Sequence, residues 1–187
     1  MGAAGGDWER LVAAAAAHGL IARGGFHPED GETAPVLADG RHAATVVLIG
    51  NAGAGLWPHF ARSPESADGA PHPLDRWSRR VIDGLAAAFE AESRYPNDGP
   101  PYPPFVAWAK RAEPVTESPL GILVHPDYGL WHAWRGALLF DRRIGLPPPD
   151  RRPPPCESCP DQPCRSACPV GAFTPAGYDV AACTGFL

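Results

Sequence analysis

The sequence contains no apolar run that approaches the roughly 20 residues needed to span a bilayer. It has no basic excess either: 16 Lys and Arg against 21 Asp and Glu give a net charge of -5, which argues against a dedicated nucleic-acid-binding protein. Acidic residues in "DWER" (7–10) precede the first apolar stretch, where a signal peptide carries only basic charge. These absences predict a cytoplasmic protein without a membrane or nucleic-acid partner, in which clustered cysteines bind a metal or cofactor rather than form disulfides.

A glycine cluster at positions 50–55 lacks the pattern of a nucleotide-binding loop. The stretch "GNAGAGLWPHF" matches neither G-x-G-x-x-G nor G-x-x-x-x-G-K-[ST], and Pro58 interrupts any helix that begins there. We therefore interpret this stretch as a tight turn that permits close backbone approach to a flat ligand.

The composition is that of one ordinary domain with a small appendage. The chain has 187 residues, of which 44% are hydrophobic, so it can bury a core, and its 24 Pro and 21 Gly predict many turns and linkers. The order of the patterns predicts a mixed α+β domain over residues 1–143, a proline-rich linker over 144–155 and a cysteine-rich module over 156–187.

Hydrophobic periodicity predicts the main elements of the first domain. Apolar residues three and four apart predict a core-packing helix over 73–93, and the apolar run "ATVVLIG" (44–50) predicts a buried central strand. The other expected elements are a helix over 8–18 and strands over 19–28, 105–113, 120–126 and 130–141. The last two strands are expected to be joined by a tight turn at "HPDYG" (125–129).

Four of the five cysteines fall within thirteen positions of "CESCPDQPCRSACPVGAF". Their spacing is Cys156-x2-Cys159-x4-Cys164-x3-Cys168-Pro. It differs from the bacterial ferredoxin run C-x2-C-x2-C-x3-C-P only in the longer middle gap. Structural zinc and unligated thiols are the alternatives, although zinc sites usually use two C-x2-C pairs well separated in sequence. The spacing therefore predicts an iron–sulfur cluster of the 4Fe–4S type.

The number of cysteines leaves two arrangements open. One cluster needs four ligands, which would be Cys156, Cys159 and Cys164 with either Cys168 or Cys183 as the fourth. If there are two clusters, Cys168 and Cys183 belong to the second, and its missing ligands are expected beyond the last residue of this sequence.

The cysteine run resembles a known electron-transfer module. "ESCPDQPCRSACPVGAF" with the following "YDVAAC" is similar to the ferredoxin-like module of epoxyqueuosine reductases and corrinoid-dependent reductive dehalogenases. In those proteins a lone downstream cysteine, at the position of Cys183 here, joins the second cluster. No proton-donating acid and no basic tRNA-binding surface of the epoxyqueuosine enzymes can be assigned in this chain.

A second resemblance covers the domain before the linker. "GILVHPDYGLWHAWRGALLF" (121–140) resembles the central hairpin of CblC-type cobalamin-processing proteins, and "VVLIGNAGAGLWPHF" (46–60) resembles their strand and glycine turn. The matching hairpin positions are His125, Pro126, Tyr128, Gly129, Trp131, Arg135 and Gly136. This resemblance implies a nitroreductase-related or flavin-reductase-like mixed sheet flanked by helices. The segments that follow the hairpin in CblC-type proteins have no match here.

Together the two resemblances imply an iron–sulfur oxidoreductase that takes electrons from an external donor and passes them singly to cobalamin. A corrin is broad and flat, so its site needs close backbone approach and aromatic walls. The residues expected to form it are Gly50, Gly53, Gly55, Trp57, His125, Tyr128, Trp131 and Arg135. The alternatives are a ferredoxin-type carrier without a corrinoid, an epoxyqueuosine reductase-like tRNA-modifying enzyme, and a zinc-stapled binding protein.

Single residues of this set also have structural explanations. His125 can cap the end of a strand, and Arg135 can pair with Asp127 or Asp141. Trp131 and Trp134 lie three positions apart on one predicted strand, so they are expected to face opposite sides of the sheet, with at least one of them in the core.

Overall fold

The computed structural model of the protein describes residues 6–29, 34–174 and 176–186. The chain divides into two compact units. The first unit comprises Met1–Glu113 and Trp131–Asp150, and the second comprises Pro114–Leu130 and Arg151–Leu187. All five cysteines therefore belong to the second unit, which also includes a segment that precedes the long strand of the first unit.

The described residues form six α-helices and eight β-strands, with two short 3-10 turns. The helices are α1 (Gly6–Ala16), α2 (Trp57–Phe60), α3 (Pro73–Ala88), α4 (Phe105–Ala112), α5 (Pro163–Ser166) and α6 (Val180–Thr184). The strands are β1 (Ile21–Phe26), β2 (Thr45–Ala52), β3 (Glu92–Arg94), β4 (Thr116–Glu117), β5 (Leu123–Val124), β6 (His132–Phe140), β7 (Phe173–Thr174) and β8 (Gly177–Tyr178). Helices and antiparallel strands thus both contribute, and the predicted α+β class is confirmed.

The first unit is built on a four-stranded antiparallel sheet with the strand order β1-β2-β6-β3. The run "TVVLIGNA" forms β2, whose first seven residues are buried, so the predicted central buried strand is confirmed. Branched apolar side chains on both faces of a strand are stable only where both faces are covered, which fits this interior position. The long strand β6, "HAWRGALLF", is also confirmed.

Helices cover the sheet on the side of the main core. The stripe predicted on α3 packs there, with Trp77, Val81 and Leu85 buried against Leu138 and Phe140 of β6. The α3 helix ends at Ala88, five residues before the predicted end, because the chain turns there and enters β3.

The other face of the sheet is covered by α4. The side-chain alternation of β2 turns Val46 and Leu48 to this face, and α4 packs against β1 and β2.

The expected strand over 105–113 is wrong, because this segment is the helix α4. Its buried residues Phe105, Trp108 and Ala109 recur at the helical spacing of three and four. A glycine of β1 allows the helix to approach: a Cβ on Gly24 would lie 2.2 Å from the carbonyl oxygen of Ala112.

The expected hairpin over 121–140 is also corrected. The strand β5 pairs with β4, whereas β6 pairs with β2 and β3, so the two strands do not pair with each other. The tight turn between them is confirmed, since His125 and Gly129 exchange two backbone hydrogen bonds of 2.9 Å. The residues before the turn therefore fold with the second unit, while those after it enter the sheet of the first.

The second unit contains short elements only. Its two-stranded sheets are β4–β5 and β7–β8, and its helices α5 and α6 have four and five residues. Phe173 and Tyr178 stack across β7 and β8 with their ring centroids 5.1 Å apart. None of the helices that the structure describes is long and apolar enough to cross a membrane.

An ion pair between Glu65 and Arg80 connects the turn Pro64–Ser66 to α3. Glu65 is 8% exposed and accepts hydrogen bonds from the Arg80 guanidinium, with 3.0 Å between Nη2 and Oε2. The Arg80 guanidinium lowers the pKa of Glu65 from 4.5 to about 2. A carboxyl whose pKa is depressed on folding contributes stability above its unfolded pKa and loses it as the pH falls.

We expect Gly136→Ala to destabilise the protein by about 1–3 kcal/mol, because overpacking forces neighbouring groups to move. The added Cβ would lie 2.9 Å from the Ile82 Cδ1 atom and 3.1 Å from both the Arg94 carbonyl oxygen and the Tyr95 ring. Gly84→Ala is the matched control, since Gly84 is an exposed residue within α3 with nothing near the new Cβ. It should stabilise by about 0.5–1 kcal/mol. If urea unfolding shows the same change in the free energy of unfolding for both variants, the close packing around Gly136 is contradicted.

We expect Glu65→Gln to remove part of the acid sensitivity of the fold. In the native protein the Glu65 contribution is complete above about pH 4.5 and is lost as the pH falls through about 2. The variant should therefore be less stable at pH 7 by about 1–3 kcal/mol, the range for a hydrogen bond to a charged group, and nearly equal to the native protein at pH 2. Thermal unfolding at both pH values measures this, and a constant difference between the proteins would contradict it.

Candidate functional site

The five cysteines are free thiols, each partly exposed. Cys156 and Cys159 lie in and directly after a single 3-10 turn, where the Cys159 backbone N–H donates to the Cys156 carbonyl oxygen at 3.3 Å. Cys164 follows in α5. Pro163 occupies the first turn of that helix, where its missing N–H has no intrahelical acceptor to lose. The four residues between Cys159 and Cys164 thus form a turn into a helix.

The charges of the thiolates show which of them are neighbours. Burial raises the pKa of Cys156, and the nearby Cys164 and Cys159 raise it further. Two negative sulfurs repel each other, so each thiolate makes the next harder to form. Cys156 thus interacts electrostatically with both Cys159 and Cys164, and these three cysteines are called the first thiol set.

Cys168 has a different environment. Its Sγ accepts a hydrogen bond from the Ala172 backbone N–H at 3.3 Å. That N–H, together with those of Val170, Gly171 and Phe173, lowers the pKa of Cys168. Backbone donors that stabilise a charged sulfur in this way favour a thiolate at this position.

Tyr178 links Cys168 with Cys183. The hydrogen bond to Cys183 raises the pKa of Tyr178, and the charges of Cys183 and Cys168 raise it further. Cys168 and Cys183 both act on Tyr178 of β8 and are called the second thiol set. Among the residues that the structure describes, no three His, Cys, Asp or Glu side chains are close enough together to hold a metal ion as they stand.

A cavity of about 510 Å³ lies in the first unit, at the end of β2 and the start of β6. It is lined by Asn51, Gly53, Ala54, Leu56, Trp57, Leu74, Trp131 and Arg135. Four of the eight residues expected to bind a corrinoid are therefore brought together. Gly53 has φ +54° and its N–H donates to the Trp131 carbonyl oxygen at 2.8 Å, which fixes the turn beside the aromatic wall.

The two tryptophans of this cavity lie on the surface. Trp131 is 82% exposed and Trp57 is 58% exposed. A large aromatic side chain normally contributes by burying its area, so two such rings beside one cavity indicate a binding surface rather than core packing. Trp131 directly precedes β6, and Trp134 is half-buried within it, so neither tryptophan is the core residue expected from the sequence.

The other expected residues have different environments. A Cβ on Gly50 would lie 2.2 Å from the Ala133 carbonyl oxygen, and one on Gly19 would lie 2.4 Å from that of Gly55, so both stretches serve close backbone packing. His125 and Tyr128 belong to the second unit. Their rings stack 4.3 Å apart, and the buried His125 accepts a hydrogen bond at Nδ1 from the Asp127 N–H at 3.0 Å.

Sequence reasoning missed a buried ion pair beneath the cavity. Arg23 and Glu113 have side chains 0% and 2% exposed, and Nη2 of the arginine lies 2.7 Å from Oε2 of the carboxylate. Trp134 donates its indole N–H to the other oxygen of Glu113, and Arg23 also contacts Nδ1 of His132 at 3.2 Å. Burial raises the pKa of Glu113, while the charge of Arg23 and the hydrogen bonds from Trp134 and Arg23 oppose that shift.

Asn51 connects this pair to the cavity. Its carbonyl oxygen accepts from Nη1 of Arg23 at 3.3 Å, and its side-chain Oδ1 accepts from Nε of Arg135 at 3.0 Å. The partners suggested by the sequence for Arg135 are engaged elsewhere: Asp127 pairs with Arg152 at 2.6 Å and Asp141 with Arg41 at 3.0 Å. The only sequence signal of the network was Arg23, a charged residue inside the strand "IARGGF".

A larger open cavity of about 850 Å³ lies elsewhere on the first unit. Its lining is Gly25–Glu29, Arg111, Ala112 and Arg143–Pro149. None of the residues expected at the corrinoid or metal site belongs to it. Size alone therefore does not identify the functional site, whereas the tryptophan-lined cavity combines aromatic walls with a single convergent charge.

Comparison with models of protein families, with curated proteins and with solved structures finds no significant match to this chain.

We expect Arg23→Met to destabilise the protein by about 3–5 kcal/mol, because it leaves the Glu113 carboxylate buried without its counter-charge. The loss should be larger at pH 8 than at pH 5, since without the arginine folding favours the protonated acid and stability falls as the pH rises. Arg10→Met is the matched control: Arg10 pairs with Asp7 on the surface with its side chain 67% exposed, so its loss should be below about 1 kcal/mol.

Urea unfolding at the two pH values measures both effects. The double variant with Arg23→Met and Glu113→Gln should recover part of the loss, because the uncompensated charge is then gone. A loss that is equal at pH 5 and pH 8 would contradict the assignment of a charged Glu113 to this pair.

Proposed function

We propose that this protein is an iron–sulfur oxidoreductase that passes single electrons to cobalamin or a related corrinoid. The observation that carries the proposal is the presence of five free, partly exposed thiols in one unit, four of them at a sequence spacing close to that of ferredoxins. A 4Fe–4S cluster supplies single electrons at low potential when it is bound, and an external donor would replenish them.

Thiolates are the donors that such a cluster needs, and the described cysteine side chains would have to come closer together to bind it. Soft thiolates favour iron–sulfur centres and zinc, and backbone N–H groups directed at a sulfur, as at Cys168, stabilise its charged form. Cys156, Cys159 and Cys164 would hold the cluster, with Cys168 or Cys183 as the fourth ligand. The shared neighbourhood of Cys168 and Cys183 around Tyr178 supports the alternative in which these two serve a second cluster.

The cavity of the first unit would take part of the corrinoid. Trp57 and Trp131 offer flat faces, Gly53 allows close backbone approach, and Arg135 offers hydrogen-bond donors. A volume of about 510 Å³ is typical for a drug-sized ligand, and a corrinoid is larger, so the cavity would enclose only a portion of it. The antiparallel sheet flanked by helices supports a flavin-reductase-like fold, and the cysteine segment supports a ferredoxin-like module.

A ferredoxin-type electron carrier without a corrinoid is the second candidate. The modest size of the cavity favours it, as does the absence of His125 and Tyr128 from the residues that line the cavity. In that case the first unit would be a docking module for a redox partner.

We expect anaerobic reconstitution with iron and sulfide to give a brown protein with about four irons per chain. Titration with hydroxocobalamin should then shift the corrin absorbance bands in a saturable manner. The measurements are iron and sulfide content and absorbance on the same sample. Cys164→Ser should lose most of the iron because it removes a ligand of the first thiol set. Ser158→Ala is the matched control, since Ser158 lies in the same cysteine segment without a sulfur, and it should keep the iron.

The outcomes separate the candidates. Iron without a corrin shift would leave the electron carrier and overturn the corrinoid part of the proposal. A colourless protein that binds zinc and rejects iron would overturn the iron–sulfur proposal as a whole.

A further inference from the structure

The tryptophan-lined cavity contains one charged side chain. Of the eight residues that line it, Arg135 is the only one with a formal charge, and Asn51 is the only other with a polar side chain. The remaining surface consists of tryptophan rings, aliphatic side chains and backbone. A ligand here would therefore meet a flat apolar wall and a single cationic group.

Arg135 is held in a fixed orientation but retains most of its donors. A guanidinium has five N–H groups, and in Arg135 the Nε–H donates to Asn51. The chain provides no further hydrogen bond or ion pair to Arg135 from residues 6–29, 34–174 or 176–186, and none of its nitrogens is a buried atom without a partner. Its outer N–H groups thus face open space, in the fork geometry that matches carboxylate and phosphate oxygens.

The surroundings leave the positive charge uncompensated at short range. Burial lowers the pKa of Arg135, and Asp75 attracts the guanidinium only from beyond ion-pair distance. Arg23, the nearest other cation of the network, is already neutralised by Glu113. A half-buried guanidinium without an adjacent carboxylate attracts an anion into the space beside it.

A smaller cavity of about 280 Å³ also borders Arg135 but suits an anion less. Asp75 lines it and would repel negative charge, and its second cation, Arg79, is engaged by Asp98 at 2.6 Å and Asn97 at 2.8 Å. The tryptophan-lined cavity has no acidic lining residue. The favourable position for a negative group is therefore on the side of Trp57 and Trp131.

We infer that this cavity selects a flat conjugated ligand that carries one negative group, a phosphate ester, carboxylate or sulfonate, which Arg135 binds while the tryptophans contact the ring. The inference deepens the proposed function and rests on it where the ligand is a corrinoid, because the nucleotide loop of cobalamin contains a phosphodiester. The other source of such a group is an anionic aromatic compound bound on its own.

The test compares two fluorescent probes that differ in charge. 1-Anilinonaphthalene-8-sulfonate carries one sulfonate on a flat naphthalene ring, and N-phenyl-1-naphthylamine is its neutral counterpart. The native protein should bind the anion about tenfold more tightly than the neutral probe, as expected for one charge-assisted contact. Arg135→Gln should abolish this preference and leave the affinity for the neutral probe unchanged.

Three controls accompany the probes. Arg62→Gln removes one exposed positive charge elsewhere on the first unit and should keep the preference. Trp131→Ala should weaken both probes, and because Trp131 is 82% exposed this variant should remain folded. Thermal unfolding of Arg135→Gln and Arg135→Lys shows whether a loss of binding reflects a loss of fold, and Arg135→Lys should retain part of the preference because it retains the charge.

Titrations with hydroxocobalamin and with dicyanocobinamide, which lacks the phosphodiester, identify the source of the negative group. Tighter binding of cobalamin that disappears in Arg135→Gln assigns the site to the corrinoid. A charge preference for the sulfonate without any corrin shift supports the anion site and overturns the corrinoid part of the proposed function. Equal affinity for both probes, or a preference that survives Arg135→Gln, overturns the inference even if the protein binds iron and cobalamin.

Discussion

The buried ion pair between Arg23 and Glu113 is the interaction on which the first unit depends most. Removing two charges from water costs several kcal/mol for each ion, which is regained only when geometry and further hydrogen bonds are good. Here the two groups lie 2.7 Å apart and draw additional contacts from Trp134, His132 and the Asn51 carbonyl. These partners come from β1, β2, β6 and the residue after α4, so the pair fixes the relative position of four elements.

The same pair explains how the cavity can hold a guanidinium in place. Asn51 is fixed at its carbonyl oxygen by Arg23, and its side chain holds Nε of Arg135 at 3.0 Å. A side chain that is oriented before binding loses less entropy when a ligand arrives. The hydrogen bonds from Arg23 to Asn51 and from Arg135 to Asn51 thus orient Arg135 before a ligand binds.

The sequence predicts those parts of the fold whose cause is local. Uniform apolar character identified β2, and the three-four spacing identified the stripe of α3, because both patterns follow directly from burial. The segment of α4 predicts a strand as readily as a helix, since eight residues with two aromatics and a valine are compatible with both. The helical conformation of this segment depends on its packing against β1, where Gly24 permits a close backbone approach. A short sequence pattern does not show such a long-range contact.

The candidate site was predictable to a similar degree. Residue chemistry indicated the thiols, and their spacing leaves open how the five cysteines divide between one cluster and two; the interaction of Cys168 and Cys183 with Tyr178 has no signature in the sequence. Gly53 lines the same cavity as Trp57 and Trp131, whereas Gly50 packs against the backbone of Ala133, and the sequence does not distinguish the two glycines. Glu113 gave no signal, since its partner lies 90 residues away.

The cost of Arg135 supports a role in binding. A half-buried guanidinium between two cavities stabilises a fold less than an apolar side chain of similar size would, because its desolvation is not repaid by an adjacent carboxylate. Arg23 shows the opposite case, in which the chain itself supplies the counter-charge. Both arginines donate a hydrogen bond to Asn51, so they lie in the same part of the fold. They differ in that the protein provides a carboxylate for Arg23 and none in ion-pair contact with Arg135 among the described residues. Where the protein does not, a ligand that carries the negative charge would complete the site, and the exposed rings of Trp57 and Trp131 that line the same cavity favour a flat one.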